Sequence, residues 1–125
     1  MSLKLLLTLS GGLEALTGVL ALIVPALVVS VLLGGQADAN GLVLARLLGA
    51  GIFGLGLACL KARDDVRSEA GLAITYAITL YNVLATVLLV WAVAGLGLGG
   101  PVLWAAGIGH ALFSALFVHA LVVPR

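Results

Sequence analysis

Residues 70–94 read AGLAITYAITLYNVLATVLLVWAVA, an apolar stretch that contains no Asp, Glu, Lys or Arg. The hydrocarbon core of a bilayer is about 30 Å thick, and one helical crossing needs about 20 predominantly apolar residues. Because no water is available there to bind the backbone amides, such a segment crosses the core as an α-helix. The stretch therefore predicts a membrane-spanning helix.

Three further apolar stretches, 3–24, 42–60 and 101–123, are of similar length. Of the 125 residues, 63% are hydrophobic and only 9% are charged, whereas soluble domains carry about 25% charged residues. We expect an all-α integral membrane four-helix bundle that forms one domain over residues 1–125. The shorter apolar stretch 26–33 either prolongs the first helix through a kink at Pro25 or lies at the membrane interface.

The basic residues predict the orientation of these spans. Apart from Arg46, every Lys and Arg falls on one side of the bilayer: Lys4, Lys61, Arg63, Arg67 and Arg125. The loops on the other side contain no Lys or Arg. Because cytoplasmic loops are enriched in these residues, we expect both termini on the cytoplasmic side of a bacterial inner membrane. Glu14 lies within the first apolar run, which favours a retained span over a cleaved signal peptide.

Polar residues within the spans are the candidates for a functional site, since ionisable groups in lipid usually face the bundle interior. With a rise of about 1.5 Å per residue, one polar group per helix falls in the middle or outer half of the bundle. We predict that these groups form a single cluster: Glu14, Arg46, Tyr81, Asn82 and His110. Further residues are expected to line it: Tyr76, Thr86 and Trp104.

The cluster has a functional and a structural interpretation. In the first, Arg46 binds an anionic or polar head group, and Glu14 or His110 takes up protons. In the second, Glu14 and Arg46 form an ion pair, while Asn82 and His110 make hydrogen bonds between helices, worth about 0.6–2 kcal/mol each. Composition and spacing leave both interpretations open.

A metal or haem site is not expected. His110 and His119 are nine residues apart on one predicted helix, which separates them by about 13–14 Å along its axis. Two such residues cannot ligate one haem from both sides, and neither histidine has a second ligand one turn away. Cys59 is the single cysteine. We predict no cofactor, no metal site and no enzymatic activity, and without a basic stripe no nucleic-acid partner.

Small residues recur along one face of three predicted helices, where they allow helices to approach closely. The three ridges are Gly11, Ala15 and Gly18; Ala45, Gly49 and Gly56; and Gly107, Ala111 and Ala115. Such ridges serve contacts within one chain or between chains. A homo-oligomer and a larger membrane complex both stay open.

Residues 44–49, LARLLG, and residues 81–85, YNVLA, together with a Trp followed by a His in the last span, resemble uncharacterised small four-helix proteins of bacterial inner membranes. That resemblance implies no known activity. In size, helix count and first-helix glutamate, here Glu14, the chain is also similar to small multidrug resistance transporters. It differs from them in Arg46, in its charge asymmetry and in residues 76–82, YAITLYN, where those transporters have a glycine-rich packing motif.

These observations predict a small membrane protein that binds a lipid, a small amphipathic molecule or a partner helix at the polar cluster. An accessory subunit of a membrane complex belongs to the same class. The alternative is a proton-coupled small-molecule transporter that uses Glu14. Membrane lipids are the expected partners in either case.

Overall fold

The computed structural model describes residues 1–123, so Arg125 of the predicted basic set lies outside the described residues. The described chain forms five α-helices and no strand: α1 Leu3–Ile23, α2 Pro25–Leu33, α3 Ala39–Ala62, α4 Glu69–Ala94 and α5 Leu103–Val122. Helices α1, α3, α4 and α5 are each long and apolar enough to cross a membrane. The all-α fold and its four long helices are confirmed.

The starts of α3 and α5 lie two or three residues from the predicted ones. Helix α3 begins at Ala39 rather than near Leu42, since the side chain of Asp38 accepts a hydrogen bond from Gly41 N at 2.8 Å. Such N-caps satisfy a backbone donor that has no partner inside the helix. Helix α5 begins at Leu103, after a turn that contains Pro101.

The stretch after Pro25 forms a separate helix, α2, of nine residues. Val24 leaves the helical conformation, with φ −127° and ψ 55°, and thereby ends α1. Pro25 then occupies the first position of α2, where its missing N–H costs nothing. The helix ends at Gly34 with φ 76°, a left-handed conformation that glycine adopts readily. With a length of roughly 14 Å, α2 is too short to cross a bilayer.

Helices α1 and α3 pack most tightly, through glycines on both partners. A Cβ atom added to Gly56 would lie 2.5 Å from Ala15 N and 2.7 Å from Gly11 O. One added to Gly49 would lie 2.8 Å from Gly18 O. The predicted ridges of the first two spans therefore face each other, and the helices run antiparallel with almost no space between their backbones.

The third ridge does not pack in this way. A Cβ atom on Gly107 would meet Leu89 Cβ at 3.8 Å, an ordinary contact. Ala111 and Ala115 are exposed. Helix α5 packs against α4, but its small residues leave an open surface within the described chain.

The two ends of the bundle differ in charge and in packing. At one end, called the basic end, the start of α1 meets the α3–α4 loop, and Lys4 Nζ donates a hydrogen bond to Asp64 Oδ1 at 2.6 Å. This bond and the charge of Lys4, with a smaller contribution from Arg63, hold the pKa of Asp64 below its ordinary value. At the opposite end, the end of α2 contacts the α4–α5 loop, where Val102 N donates to Val31 O at 3.1 Å.

The main apolar core lies towards the basic end. It consists of seven buried residues: Leu3, Leu6, Leu7, Cys59, Ile78, Phe117 and Ala120. Large apolar side chains also cover the outward faces of the long helices, among them Leu16, Leu47, Val87 and Ile108. Apolar surface of this extent is typical of helices that face lipid or a partner.

Candidate functional site

A line of polar side chains on α4 faces the interior of the bundle and bonds to its own helix. Thr75, Thr79 and Thr86 each donate to the backbone oxygen four residues earlier, at 2.6–2.8 Å. The side-chain amide of Asn82 likewise donates to Ile78 O at 2.8 Å. These bonds use the three hydroxyl donors and one of the two N–H donors of Asn82, and the Asn82 side-chain oxygen is left to accept a hydrogen bond from another helix.

His110 of α5 is that group. Its Nδ1 lies 2.8 Å from Asn82 Oδ1. Because an amide oxygen only accepts hydrogen bonds, Nδ1 must carry the proton and donate it. In the neutral ring Nε2 then bears a lone pair and accepts. Asn82 therefore fixes the tautomer of His110 and aligns its ring.

Glu14 of α1 completes the arrangement from the other side. The residue is 6% exposed, and its side chain lies near that of Tyr81. Glu14 Oε1 lies 4.0 Å from His110 Nδ1. The rings of Tyr81 and His110 meet edge to face, with centroids 5.6 Å apart. Four of the five predicted residues, Glu14, Tyr81, Asn82 and His110, thus form one polar cluster between α1, α4 and α5.

Arg46 does not join the polar cluster. Its side chain is exposed, and its Nε donates to Leu22 O at 3.2 Å. That carbonyl lies in the last turn of α1, next to the break at Val24, where helix ends leave acceptors without backbone partners. Within residues 1–123, the ion pairs of Lys or Arg closer than 4.0 Å are Lys4–Asp64 and Arg63–Asp64, and His110 Nδ1 lies 4.0 Å from Glu14 Oε1. The predicted Glu14–Arg46 pair is not among them, because Arg46 lies on the outward side of α3.

The three residues predicted to line the cluster are divided between two surfaces. Tyr76 is 61% exposed and points away from the cluster. Thr86 and Trp104 line a groove of about 140 Å³ between α4 and α5. Gly107 and Ala111 form part of the same groove, which we call the α4–α5 groove.

Ser10 belongs near the site, although the sequence analysis did not select it. Its hydroxyl is buried and has no hydrogen-bond partner within the described residues. Ser10 lies four residues before Glu14 on α1, and residues at this spacing are neighbours on one helix face. That spacing was the signal that could have identified it.

The polar cluster has acceptors to spare. His110 Nδ1 donates to Asn82, while the Glu14 carboxyl group and His110 Nε2 retain acceptor capacity. No group of three or more His, Cys, Asp or Glu within residues 1–123 could hold a metal ion. The cluster is therefore suited to protons or to a polar group that donates hydrogen bonds.

Comparisons of the chain with protein-family models, with curated proteins and with solved structures find no match. The resemblances to small bacterial four-helix membrane proteins and to small multidrug resistance transporters therefore stay predictions.

Proposed function

We propose that the protein is a multi-pass protein of a bacterial inner membrane, in which α1, α3, α4 and α5 cross the bilayer and both termini are cytoplasmic. The basic end carries Lys4, Lys61, Arg63 and Arg67, whereas the loops of the opposite end contain no Lys or Arg. This asymmetry supports a cytoplasmic basic end. Trp91 and Trp104 lie near the opposite end and are exposed, as expected for residues at a membrane interface.

We propose further that this protein binds a small amphipathic molecule, such as a lipid, with its polar group at the polar cluster and an apolar segment in the α4–α5 groove. The observation that carries this proposal is that the groove adjoins the cluster. Thr86 lines the groove and donates to the backbone oxygen of Asn82. Gly107 and Ala111, also in the groove, lie three residues before and one residue after His110.

The dimensions and chemistry of the site restrict the ligand. Pockets for whole drug-sized ligands measure about 300–1,000 Å³, so a groove of about 140 Å³ accommodates only a segment of an apolar chain. The remainder of that chain would lie in the surrounding lipid. Since the polar cluster has spare acceptors, the matching polar group carries O–H or N–H donors.

Filling the groove tests this proposal. Gly107→Leu places a side chain within the α4–α5 groove, whereas Gly109 has no atom within 4 Å of an added Cβ and Gly109→Leu serves as the matched control. We expect native mass spectrometry of the purified wild-type protein and of Gly109→Leu to show a retained small molecule that Gly107→Leu lacks. Wild-type protein that carries nothing, or equal occupancy in both variants, would contradict the proposal. A retained protein subunit in place of a small molecule would instead favour a partner helix.

One observation favours proton-coupled transport as a second candidate. Glu14 is buried without a Lys or Arg beside it among the described residues, and its titratable neighbours include His110, Tyr81 and Cys59. A charge at this depth requires a proton or a counter-charge. The neutral cluster therefore holds one proton that Glu14 and His110 can share. A substrate that displaces this proton would couple its own transport to the movement of the proton.

Flux measurements separate this candidate from simple binding. In proteoliposomes with an imposed pH gradient, we expect Glu14→Gln to abolish proton flux driven by substrate, while Glu69→Gln, in the exposed first turn of α4, keeps it. Flux that Glu14→Gln leaves unchanged would exclude Glu14 as the proton carrier. Retention of the small molecule with no flux in any variant would leave binding as the function.

A further inference from the structure

A second pocket lies at the basic end, far along α1 from the polar cluster. It has a volume of about 240 Å³ and is formed by the start of α1, the α3–α4 loop and the end of α5. Its polar wall includes Lys4, Arg67 and His119, and its apolar wall includes Leu3 and Ala120. None of the described residues that line it is acidic. We call it the basic-end pocket.

The basic-end pocket has a positive charge that its surroundings compensate only in part. Lys4 Nζ is bonded to Asp64, whereas no ion pair closer than 4.0 Å within residues 1–123 involves Arg67. Arg67 also follows Val66, which lines the same pocket. An anion in this pocket would be attracted to Arg67 directly and to Lys4 in addition.

The position of the pocket along the helices favours a lipid as the source of that anion. Helix α1 has 21 residues and therefore a length of about 32 Å, close to the thickness of the hydrocarbon core. With α1 across the bilayer, its start at Leu3 lies at the edge of the hydrocarbon core, just below the phospholipid phosphates. The apolar wall would contact the glycerol and the first acyl carbons of a phospholipid. A free phosphate ion has no apolar part that could make these contacts.

We propose that the basic-end pocket binds the phosphate head group of an anionic phospholipid, with Arg67 as its principal ligand. The pocket is separate from the polar cluster and from the α4–α5 groove. Binding there would hold the start of α1 and the end of α5 together at the membrane surface. This inference rests on the proposed crossing of the bilayer by α1, but not on the function proposed for the polar cluster.

The test compares two lipids and two variants, one that replaces an arginine of the pocket and one that replaces a lysine outside it. Native mass spectrometry in detergent would measure binding of dioleoylphosphatidylglycerol and of dioleoylphosphatidylcholine to wild type, Arg67→Gln and Lys61→Gln. Lys61 is a matched control, since it is exposed at the same end in the last turn of α3 but does not line the pocket. We expect wild type to bind dioleoylphosphatidylglycerol more tightly than dioleoylphosphatidylcholine. Arg67→Gln should weaken the binding of dioleoylphosphatidylglycerol about fivefold, the effect of one basic residue near an anionic surface.

Three outcomes would overturn the proposal. Equal affinity for the two lipids would exclude a charge-selective site, and equal losses in Arg67→Gln and Lys61→Gln would indicate a diffuse surface effect. Displacement of the lipid by millimolar inorganic phosphate would assign the pocket to free phosphate instead. Gly107→Leu serves to distinguish the sites, since it is expected to leave this affinity unchanged even if it removes a molecule from the α4–α5 groove.

Discussion

The helix pair α1–α3 and the helix pair α4–α5 are built in opposite ways. Glycines bring the backbones of α1 and α3 into direct contact, so that even a Cβ atom on Gly56 has no room. Helices α4 and α5 are held by larger side chains and by the bond between Asn82 and His110, and they enclose a groove. The first pair thus provides a rigid support for Glu14, whereas the second provides the space and polar groups on which the proposed ligand site depends.

The largest expected difference between the two helix pairs is the change in stability when one methyl group is added to each. In Gly56→Ala the new Cβ atom meets Ala15 N at 2.5 Å, which forces the backbones apart and is expected to lower the free energy of unfolding by about 3 kcal/mol. In Gly107→Ala the nearest atom is 3.8 Å away, so better helix propensity should leave stability unchanged or raise it by up to about 1 kcal/mol.

Denaturation of both variants in mixed detergent micelles, followed by circular dichroism, measures this difference. Gly54→Ala, at a position where an added Cβ has no atom within 4 Å, controls for the propensity change within α3 itself. Equal stability of Gly56→Ala and Gly54→Ala would show that α1 and α3 do not pack through their glycines.

A smaller effect is expected from the bond that joins α4 to α5. Asn82→Ala removes the acceptor of His110 Nδ1 and should cost about 1–2 kcal/mol of unfolding free energy. In the double variant with His110→Ala the two losses should be less than additive, because each removes the same bond. Strict additivity in the same denaturation assay would mean that the two side chains do not interact, and Asn40→Ala, at an exposed position, provides the control.

The smallest effect concerns the bond between Lys4 and Asp64, which ties α1 to the loop before α4. The folded-state pKa of Asp64 is lowered, chiefly by its hydrogen bond to Lys4. A carboxylate with a lowered folded-state pKa stabilises the fold at pH values above its unfolded-state pKa of about 3.9. This stabilisation is lost as the pH falls through the folded-state pKa. The stability difference between wild type and Lys4→Gln should therefore be present at pH 7, shrink below about pH 4 and weaken with added salt. A difference that grows on acidification would contradict this assignment.

Sequence reasoning reached the fold more fully than the site. Spans follow from the length and apolarity of the segments, and the spacing of Gly11, Gly18, Gly49 and Gly56 on single helix faces indicated the contact surfaces of α1 and α3. The depths of Glu14, Asn82 and His110 along their helices placed them near one another. Depth can be predicted in this way because the rise per residue of a helix is fixed.

The direction in which a side chain points was harder to predict than its depth. Arg46 and Tyr76 lie on the outward faces of α3 and α4, since the rotation of a helix about its axis depends on how its neighbours pack. In an apolar chain both faces of a helix carry similar residues, so amphipathic periodicity gives little guidance. The partner of Arg46 depended in addition on the helix break at Val24, which exposes a carbonyl that no spacing rule locates.

The central claim is that Glu14 lies beside His110 and not beside Arg46. Solid-state NMR in lipid bilayers can measure the distance from the Glu14 carboxyl carbon to nitrogen-15 in each of the two side chains. We predict a separation from His110 Nδ1 of at most about 5 Å, the 4.0 Å to Oε1 plus one carbon–oxygen bond, and a histidine shift that shows the proton on Nδ1. A carboxyl carbon within this distance of the Arg46 guanidinium, or a His110 ring protonated only at Nε2, would contradict the account.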